Sequence, residues 1–415
     1  MMNTSDRNKI TAKGQIVLMY IFASVVYFMS YITRINYSTV LVEISTAENL
    51  SRSLLALPLT ASFITYGLGQ IISGWFGDRT DPFKLISLGL FLSALMNILL
   101  PVFPKPYIMT AFWAINGFAQ ALVYPPLMKI TSHYLSEQQY TKACLFISIG
   151  CHVATLLMYL LAPVMIALAG WKLVFFFSFV CAVIFLAAWQ FYSRDVKKRY
   201  GKPSGYIETK VGALEKTENV SLKVLFISSG LIIIMIAVVM QGFLRDGIAT
   251  WMPAYLSDVF SLSNEISILT TVILPIFSIF SAYVILLVRN KLCRDELKLA
   301  GITFLVAVAA IVLLLIFRAN MALSVLFLAL TSACSHAINF LLICLVPKRF
   351  EKYGRFSLVT GVINSCTYIG AAVSTYGFAA VSENYGWNVT LVSWAVIALI
   401  GFICCFAALK KAKSV

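Results

Sequence analysis

Twelve apolar segments long enough to cross a membrane follow one another along this chain. An α-helix rises 1.5 Å per residue, so roughly 20 apolar residues cross a bilayer core of about 30 Å. Charged residues make up only 12% of the sequence, against about 25% in a typical soluble domain. We therefore predict an all-α membrane protein with twelve transmembrane helices, at about 16–44, 54–76, 84–103, 107–130, 142–168, 172–193, 224–256, 265–288, 297–317, 321–346, 356–381 and 388–409.

One long polar connection divides the twelve segments into two sets of six. Residues 194–222 are rich in charge and include the run Lys197-Lys198-Arg199, which favours a solvated linker. We predict an N-terminal six-helix half at 1–193, a cytoplasmic linker at 194–222 and a C-terminal six-helix half at 223–415.

Lysine and arginine are concentrated on one side of the predicted membrane. Most of the 32 lie at the termini, in the linker and in alternate loops, and the opposite side holds Arg52, Lys105, Lys172 and Arg318. By the positive-inside rule we expect a multi-pass protein of the plasma (inner) membrane with both termini in the cytoplasm. The same distribution accounts for the net charge of +15 without a nucleic-acid partner. The basic start of the chain lacks an apolar core, so we expect no cleaved signal peptide.

Two arginines lie inside apolar segments, at similar depths in the first helix of each predicted half. Burying a guanidinium in a membrane costs roughly 3 kcal/mol or more, so Arg34 and Arg245 each need a partner or a ligand. Their planar forks of donors suit phosphate or carboxylate oxygens, and we predict a shared anion site near the midplane. The alternative is pairing within the bundle, of Arg34 with Glu43 or of Arg245 with Asp246. Neighbours on a helix point to different faces, so we expect Asp246 to be a poor partner.

Other side chains with suitable chemistry fall near the same depth. Tyr27, Tyr31 and Arg34 are spaced by four and three residues, which places them on one helix face. His152, in the middle of the fifth segment, could donate to a phosphate oxygen or titrate near neutral pH; a histidine bonded to a backbone carbonyl is an equal alternative. For His336 in the tenth segment we favour that structural role.

The predicted cytoplasmic loop between segments 2 and 3 carries glycines and charge. Gly74, Asp78 and Arg79 could form a conformational latch, because Asp78 can accept bonds from a helix N-terminus or pair with a basic residue. The alternative is a polar turn with a helix cap at Asp81-Pro82. Elsewhere the chain shows no nucleotide-binding loop, no paired cysteine spacing and no metal-ligand spacing, so we expect no cofactor, no disulfide framework and no enzyme.

These residues resemble the major facilitator superfamily, and within it the organophosphate:phosphate antiporter family, which includes glycerol-3-phosphate and hexose-6-phosphate transporters. The similarity covers most of the chain in pieces. The matching motifs are Gly74-x-x-x-Asp78-Arg79, Tyr27-x-x-x-Tyr31-x-x-Arg34, Asn116-Gly117-Phe118-Ala119-Gln120 with Tyr124-Pro125-Pro126, Cys151-His152-Val153, Leu244-Arg245-Asp246-Gly247-x-x-x-Trp251-x-Pro253 and the stretch Gly361–Gly370.

The resemblance implies a major facilitator fold and a role for each matching residue. Arg34 and Arg245 would grip a phosphoryl group with help from His152, and a ring of tyrosines would line the pocket together with position 70. The implied tyrosines are Tyr27, Tyr31, Tyr66 and Tyr368. The chain departs from the family at Gln70, where glycerol-phosphate transporters carry lysine, and at Asp246, which places an acid beside the arginine.

We therefore expect a secondary active transporter that exchanges a phosphorylated organic anion for inorganic phosphate by alternating access. Its partners would be the small anionic substrate and the lipid bilayer, and the family implies a monomer. Two alternatives stay open: a carrier of carboxylates or sugar acids, because arginine pairs also bind carboxylates, and a membrane sensor that binds a sugar phosphate without transporting it.

Overall fold

A computed structural model describes residues 9–50, 52–201, 203, 226, 230–262, 270–353 and 356–412, and these residues are helical nearly throughout, with no strand among them. The helices are α1 Lys13–Ala47, α2 Arg52–Gly77, α3 Pro82–Leu99, α4 Pro106–Ala121, α5 Tyr124–Tyr134, α6 Glu137–Ala169, α7 Trp171–Tyr200, α8 Leu231–Phe260, α9 Ile273–Lys291, α10 Glu296–Ile316, α11 Met321–Asn339 and α12 Phe356–Ala412. A π-helical stretch Phe340–Leu345 and a 3₁₀ helix Val346–Tyr353 follow α11.

The predicted all-helical membrane fold is confirmed. Among the described residues, 10 helices are long and apolar enough to cross a bilayer. The fourth predicted segment is divided into α4 and α5, because Pro125 and Pro126 lack the N–H groups needed to continue α4. Segments eleven and twelve run together as α12, which bends sharply at Gly386, where φ is 76°. A residue other than glycine rarely adopts this backbone conformation.

Two compact units make up the chain. Unit 1 is Met1–Leu214 with Gly354–Ser365, and unit 2 is Glu215–Tyr353 with Cys366–Val415. Helices α1–α7 and the first turns of α12, residues 356–365, therefore belong to unit 1. Helix α7 runs on to Tyr200, past the predicted start of the linker at Arg194. Residues 202 and 204–222 of that linker lie outside the described residues, so the predicted domain boundaries stay a prediction.

The helix starts in unit 1 follow directly from the sequence. Asp81 accepts a hydrogen bond from the Phe83 N–H, with Pro82 at the first helical position, so the predicted cap at Asp81-Pro82 is confirmed. The Asp81 carboxylate also lies 3.1 Å from the Lys197 ammonium of α7. Ser136 begins α6 in a capping box with Gln139. These caps fix where α3 and α6 begin.

Large apolar side chains cover the outside of the helices, whereas polar side chains are buried between them. Leu168 and Ile184 are 74% and 66% exposed, and many other leucines, isoleucines and phenylalanines are also exposed. Soluble monomers rarely expose contiguous apolar surface on this scale. The chain is therefore an integral, multi-pass membrane protein.

Candidate anion-binding site

Arg34 lies in α1 against the aromatic rings predicted to accompany it. Its guanidinium carbon is 4.3 Å from the ring centroid of Tyr31 and 5.0 Å from that of Tyr66 in α2. The rings of Tyr27 and Tyr31 are 5.1 Å apart, edge to face. The structure therefore brings four of the predicted site residues together in unit 1, and we call Arg34, Tyr27, Tyr31 and Tyr66 the Arg34 cluster.

One further tyrosine extends this cluster. The ring of Tyr124, the first residue of α5, is 5.2 Å from that of Tyr27. Tyr124 belongs to the fourth-helix motif and is one of the tyrosines that recur along the sequence where a cavity is expected, although its contact with Tyr27 was not predicted. It reaches the cluster because Pro125 and Pro126 begin a new helix there and orient its first residue toward α1. The order of the tyrosines along the chain carries no sign of this contact.

Aromatic contacts partly offset the burial of Arg34. A guanidinium over an aromatic ring gains about 0.5–2 kcal/mol, more where water is excluded. Two such contacts approach the cost of roughly 3 kcal/mol for a central membrane arginine. A cation–π contact uses no N–H donor in a conventional hydrogen bond, whereas oxyanions bind at the N–H edges of a guanidinium. The rings of Tyr31 and Tyr66 are thus compatible with an anion on Arg34.

His152 makes the backbone contact that its structural alternative predicted. Its Nδ1 lies 2.7 Å from the carbonyl oxygen of Ser148, one turn earlier in α6, and the Cys151 Sγ lies 3.4 Å from the same nitrogen. Because a carbonyl oxygen can only accept, Nδ1 carries a proton. A neutral imidazole then presents Nε2 as an acceptor, and only the imidazolium donates from both nitrogens. His152 can therefore donate to an oxyanion when it is protonated.

The expectation that Asp246 is a poor partner for Arg245 is wrong. Arg245 Nε and Nη2 donate to the two carboxylate oxygens of Asp246 at 3.0 and 2.7 Å, as a bidentate pair. Adjacent residues on a helix are about 100° apart, but the arginine side chain is long enough to curl back and present its Nε–Nη2 edge to its neighbour. These bonds use two of the five N–H donors of the guanidinium.

Tyr368 of α12 lies beside this pair in unit 2. The Arg245 guanidinium carbon is 5.8 Å from its ring centroid. We call Arg245, Asp246 and Tyr368 the Arg245 cluster. The two arginines therefore have different surroundings, because aromatic rings surround Arg34 whereas a carboxylate and one ring contact Arg245.

Gln70 is packed against the first turns of α12 within unit 1. Its Oε1 accepts a hydrogen bond from Asn364 Nδ2 at 3.1 Å, and its backbone carbonyl lies where a Cβ on Gly361 would be 2.2 Å away. The side chain is fully buried, and its Nε2 has no hydrogen-bond partner among the described residues. In this arrangement Gln70 therefore contacts Asn364 and Gly361 of α12.

The predicted latch residues Gly74 and Asp78, at the end of α2, pack against the start of α12. Asp78 accepts hydrogen bonds from the N–H groups of Ser357 and Leu358 at 3.0 and 2.9 Å, where the helix dipole favours an anion. The Lys129 ammonium is 3.6 Å from the same carboxylate. Burial raises the pKa of Asp78 above its ordinary range, although Lys129 and the two N–H groups oppose the shift. We call Asp78, Lys129, Ser357 and Leu358 the Asp78 cluster.

Close helix packing accompanies the Asp78 cluster. A Cβ on Gly74 would lie 2.6 Å from the Ser357 carbonyl oxygen and 3.0 Å from the Leu358 Cα, so only glycine allows this approach. Arg79, the third predicted latch residue, is exposed and stacks on Trp75, with its guanidinium carbon 3.9 Å from the ring centroid. In the described arrangement Arg79 takes no part in the Asp78 cluster.

Sequence reasoning missed a second charged group, at the ends of α9 and α10 in unit 2. Arg289 Nη2 donates to Glu296 Oε1 at 2.6 Å, and Arg349 donates to the other oxygen of Glu296. Arg349 also lies 3.3 Å from Asp295. In the sequence, this group could have been recognised from the acidic pair Asp295-Glu296 inside an otherwise basic loop. This group ties the loop after α9 to the 3₁₀ helix after α11.

Comparison with known proteins gives one family and several relatives. The family model of the Major Facilitator Superfamily matches residues 23–294. The chain is 27% identical to the glycerol-3-phosphate transporter of Bacillus subtilis (strain 168) over 277 residues, which cover 63% of this chain and 62% of that protein. It is also 27% identical to the membrane sensor protein UhpC of Escherichia coli (strain K12) over 113 residues, 27% of this chain and 26% of the sensor.

A solved structure shares the fold over nearly the whole chain. The proton:xylose symporter XylE, bound to 6-bromo-6-deoxy-D-glucose, superposes with a TM-score of 0.75 and covers 97% of both chains at 12% identity. Identity this low supports the fold alone. The sequence matches to the two relatives span 62% and 26% of those proteins' own lengths.

Proposed function

Because the chain belongs to the Major Facilitator Superfamily, we propose that it exchanges a phosphorylated organic anion for inorganic phosphate across a membrane by alternating access. The observation that carries the proposal is Arg34, a cation within a membrane helix whose guanidinium carbon lies over the rings of Tyr31 and Tyr66. A phosphoryl group fits the N–H edges of such a guanidinium. The similarity to a protein named glycerol-3-phosphate transporter points to the same substrate class.

Arg245 is the second cation of the proposed site. Its bonds with Asp246 have the geometry that two phosphoryl oxygens would adopt. An arriving anion can therefore replace the carboxylate and take over both bonds. Asp246 then acts as an internal competitor, which neutralises Arg245 whenever the substrate is absent.

The other predicted residues complete the proposal. Tyr27, Tyr31, Tyr66 and Tyr368 hold the cations and offer hydroxyl groups to the ligand, and protonated His152 donates through Nε2. The buried Nε2 of Gln70 reaches a ligand once α2 separates from residues 356–365. The same separation breaks the bonds of Asp78 to Ser357 and Leu358, so Gly74 and Asp78 would stabilise one state and release it in the other.

Alternating access follows if the bound anion stabilises the arrangement between the two end states. Only interactions that are stronger in that arrangement lower the barrier, as in an enzyme. Exchange dominates when the empty site, with Arg34 lacking its anion, crosses the barrier slowly. We place the protein in the inner membrane with both termini in the cytoplasm, and we propose that it works as a monomer.

The test is exchange of labelled phosphate by proteoliposomes loaded with phosphate. Arg34→Lys and Arg245→Lys keep the charge and remove the bidentate fork, so we expect each to abolish exchange. Arg199→Lys is the matched control, because Arg199 forms an exposed ion pair with Asp195 at the end of α7, and we expect wild-type exchange. If the wild-type protein fails to exchange phosphate, the proposal is wrong.

A membrane sensor is the second candidate, because part of the chain is similar to the sensor protein UhpC. Binding of a sugar phosphate without flux in the same vesicles would favour it. Exchange of carboxylates, with no response to phosphates, would instead favour an organic-acid carrier.

A further inference from the structure

A group of buried polar side chains surrounds the turn of α1 that carries Arg34. None of the three clusters includes it, and the proposed mechanism does not use it. It joins α1 to α3 and α4 within unit 1. Each of its side chains is at most 1% exposed. We call it the Thr33 network, made of Ser30, Thr33, Ser93, Asn97, Asn116 and Gln120.

Thr33, which directly precedes Arg34, is the centre of this network. Its carbonyl oxygen accepts hydrogen bonds from Asn97 Nδ2 and Asn116 Nδ2, each at 3.1 Å. Its hydroxyl oxygen accepts from Gln120 Nε2 at 2.8 Å. One turn earlier, the Ser30 hydroxyl donates to the side-chain oxygen Oε1 of Gln120. Side chains of two other helices thus bind α1 at consecutive turns.

Every amide in the network uses both of its ends. Asn116 accepts from the Ser93 hydroxyl at 2.7 Å while it donates to Thr33. Gln120 donates to Ser93 as well as to Thr33, and Asn97 accepts from Asn36 at 2.6 Å. A buried polar group that is fully paired defines one geometry, because any other arrangement leaves donors unpaired in a dry interior.

The network and the Arg34 cluster occupy different faces of α1. Ser30 and Thr33 point to α3 and α4, whereas Tyr31 and Arg34 follow them by one residue, or about 100° around the helix. The bonds of the first pair therefore fix the rotation of α1 about its axis, and with it the direction of Arg34. Productive geometry in a binding site tolerates errors of about 10–20°.

We propose that Asn116 and Gln120 are positioning residues that set the affinity for the transported anion by holding the α1 turn on which Arg34 lies. The proposal rests on the proposed function in one respect, since it takes Arg34 as an anion-binding residue. It assigns a role to the fourth-helix motif Asn116–Gln120, and it makes Thr33 the point through which that role acts.

Thr33→Val is the sharpest test, because it keeps the shape of the side chain and removes the hydroxyl that Gln120 binds. We expect the half-saturation concentration for phosphate exchange to rise about three- to tenfold, in line with the strength of a hydrogen bond between membrane helices. The maximal rate should change less. Thr33→Ser keeps the hydroxyl and should restore wild-type affinity. Asn116→Asp, which loses the donor to the Thr33 carbonyl, should repeat the effect of Thr33→Val.

Tyr37→Phe is the matched control on the same helix. The Tyr37 hydroxyl donates to the Leu55 carbonyl of α2 at 3.0 Å, so this variant also removes one buried bond between α1 and another helix. A purely structural role predicts that Thr33→Val and Tyr37→Phe lower the melting temperature and the affinity alike. Positioning predicts a loss of affinity for Thr33→Val alone, and equal affinities in the two variants would overturn it.

A structural readout keeps this test separate from the proposed function. We expect cryo-electron microscopy of Tyr37→Phe to keep the Arg34 guanidinium about as far from the Tyr66 ring as in the wild type, at 5.0 Å, and that of Thr33→Val to lose the contact. Absence of phosphate exchange in the wild-type protein would refute the antiporter but leave these distances to decide. An unchanged Arg34 position in Thr33→Val would refute the positioning role, whatever the transport assay shows.

Discussion

Replacement of Asp246 by asparagine should tighten the binding of phosphate. The carboxylate holds Arg245 through two charge-assisted bonds of 3.0 and 2.7 Å, and any anion that binds the Nε–Nη2 edge must first displace it. An asparagine side chain has the same size as aspartate but no charge, so the competing interaction weakens. We expect Asp246→Asn to lower the half-saturation concentration for phosphate exchange.

The size of this effect follows from the exposure of the pair. Hydrogen bonds to charged groups contribute about 1.5–3 kcal/mol when buried, whereas exposed ion pairs contribute about 0–1 kcal/mol. The Arg245 and Asp246 side chains are 15% and 31% exposed, which places the competing interaction at about 1–2 kcal/mol. Since 1.4 kcal/mol is a factor of ten, we expect phosphate to bind about five- to thirtyfold more tightly.

A second readout separates competition from a general change in charge. Without the Asp246 carboxylate the empty site gains one net positive charge, so its return across the membrane should slow. The ratio of exchange to net uptake should therefore rise in Asp246→Asn. Asp258→Asn is the control, because Asp258 lies on the same helix and accepts a bond from Trp387; we expect its affinity to stay within about twofold of wild type. Equal or weaker binding by Asp246→Asn would refute the competition.

Three more predictions concern unit 1. Tyr66→Phe keeps the ring on Arg34 and should leave phosphate affinity near wild type, whereas Tyr66→Leu should weaken it about three- to tenfold. Phosphate-dependent thermal stabilisation measures both affinities. Equal losses in the two variants would mean that the hydroxyl matters instead of the ring. Gly74→Ala places a Cβ 2.6 Å from the Ser357 carbonyl oxygen and should lower the exchange rate and the melting temperature, whereas Gly14→Ala, with nothing within 4 Å, should change neither. Because the pKa of Asp78 is raised, folding favours its protonated form. The stability that this adds is present below the ordinary pKa of 3.8 and is lost as pH rises through the pKa of the folded protein. The melting temperature of the wild type relative to Asp78→Asn should therefore fall as pH rises from 3.8, and a difference that grows with pH would contradict the shift.

Sequence reasoning reached the residues that share one helix face. Tyr27, Tyr31 and Arg34 are close because their spacing is helical, and periodicity alone predicts that. The contact of Tyr66 with Arg34 required the resemblance to a family, because it joins two helices. Asp246 was misjudged because helical angles describe where a side chain begins, whereas the position of a guanidinium depends on several further torsions.

The Thr33 network shows what a single sequence withholds. Its members stand in helical pairs, Ser93 with Asn97 and Asn116 with Gln120, so polar faces on α3 and α4 were visible in the sequence. Their convergence on one threonine depends on how α1, α3 and α4 pack and rotate. Gln70 is a related case, since the resemblance implied a ligand contact and the structure also shows its side chain bonded to Asn364. Contacts between helices that are distant in sequence decided both outcomes.

The most direct test of the proposed exchange is the dependence of labelled phosphate uptake on what the vesicles contain. Purified wild-type protein is reconstituted into proteoliposomes loaded either with phosphate or with chloride at equal ionic strength. Exchange predicts rapid uptake into the phosphate-loaded vesicles and little into the others, with competition by a phosphorylated organic anion from outside. Equal uptake into both kinds of vesicle, or no uptake into either, would contradict obligatory exchange of phosphate by this protein.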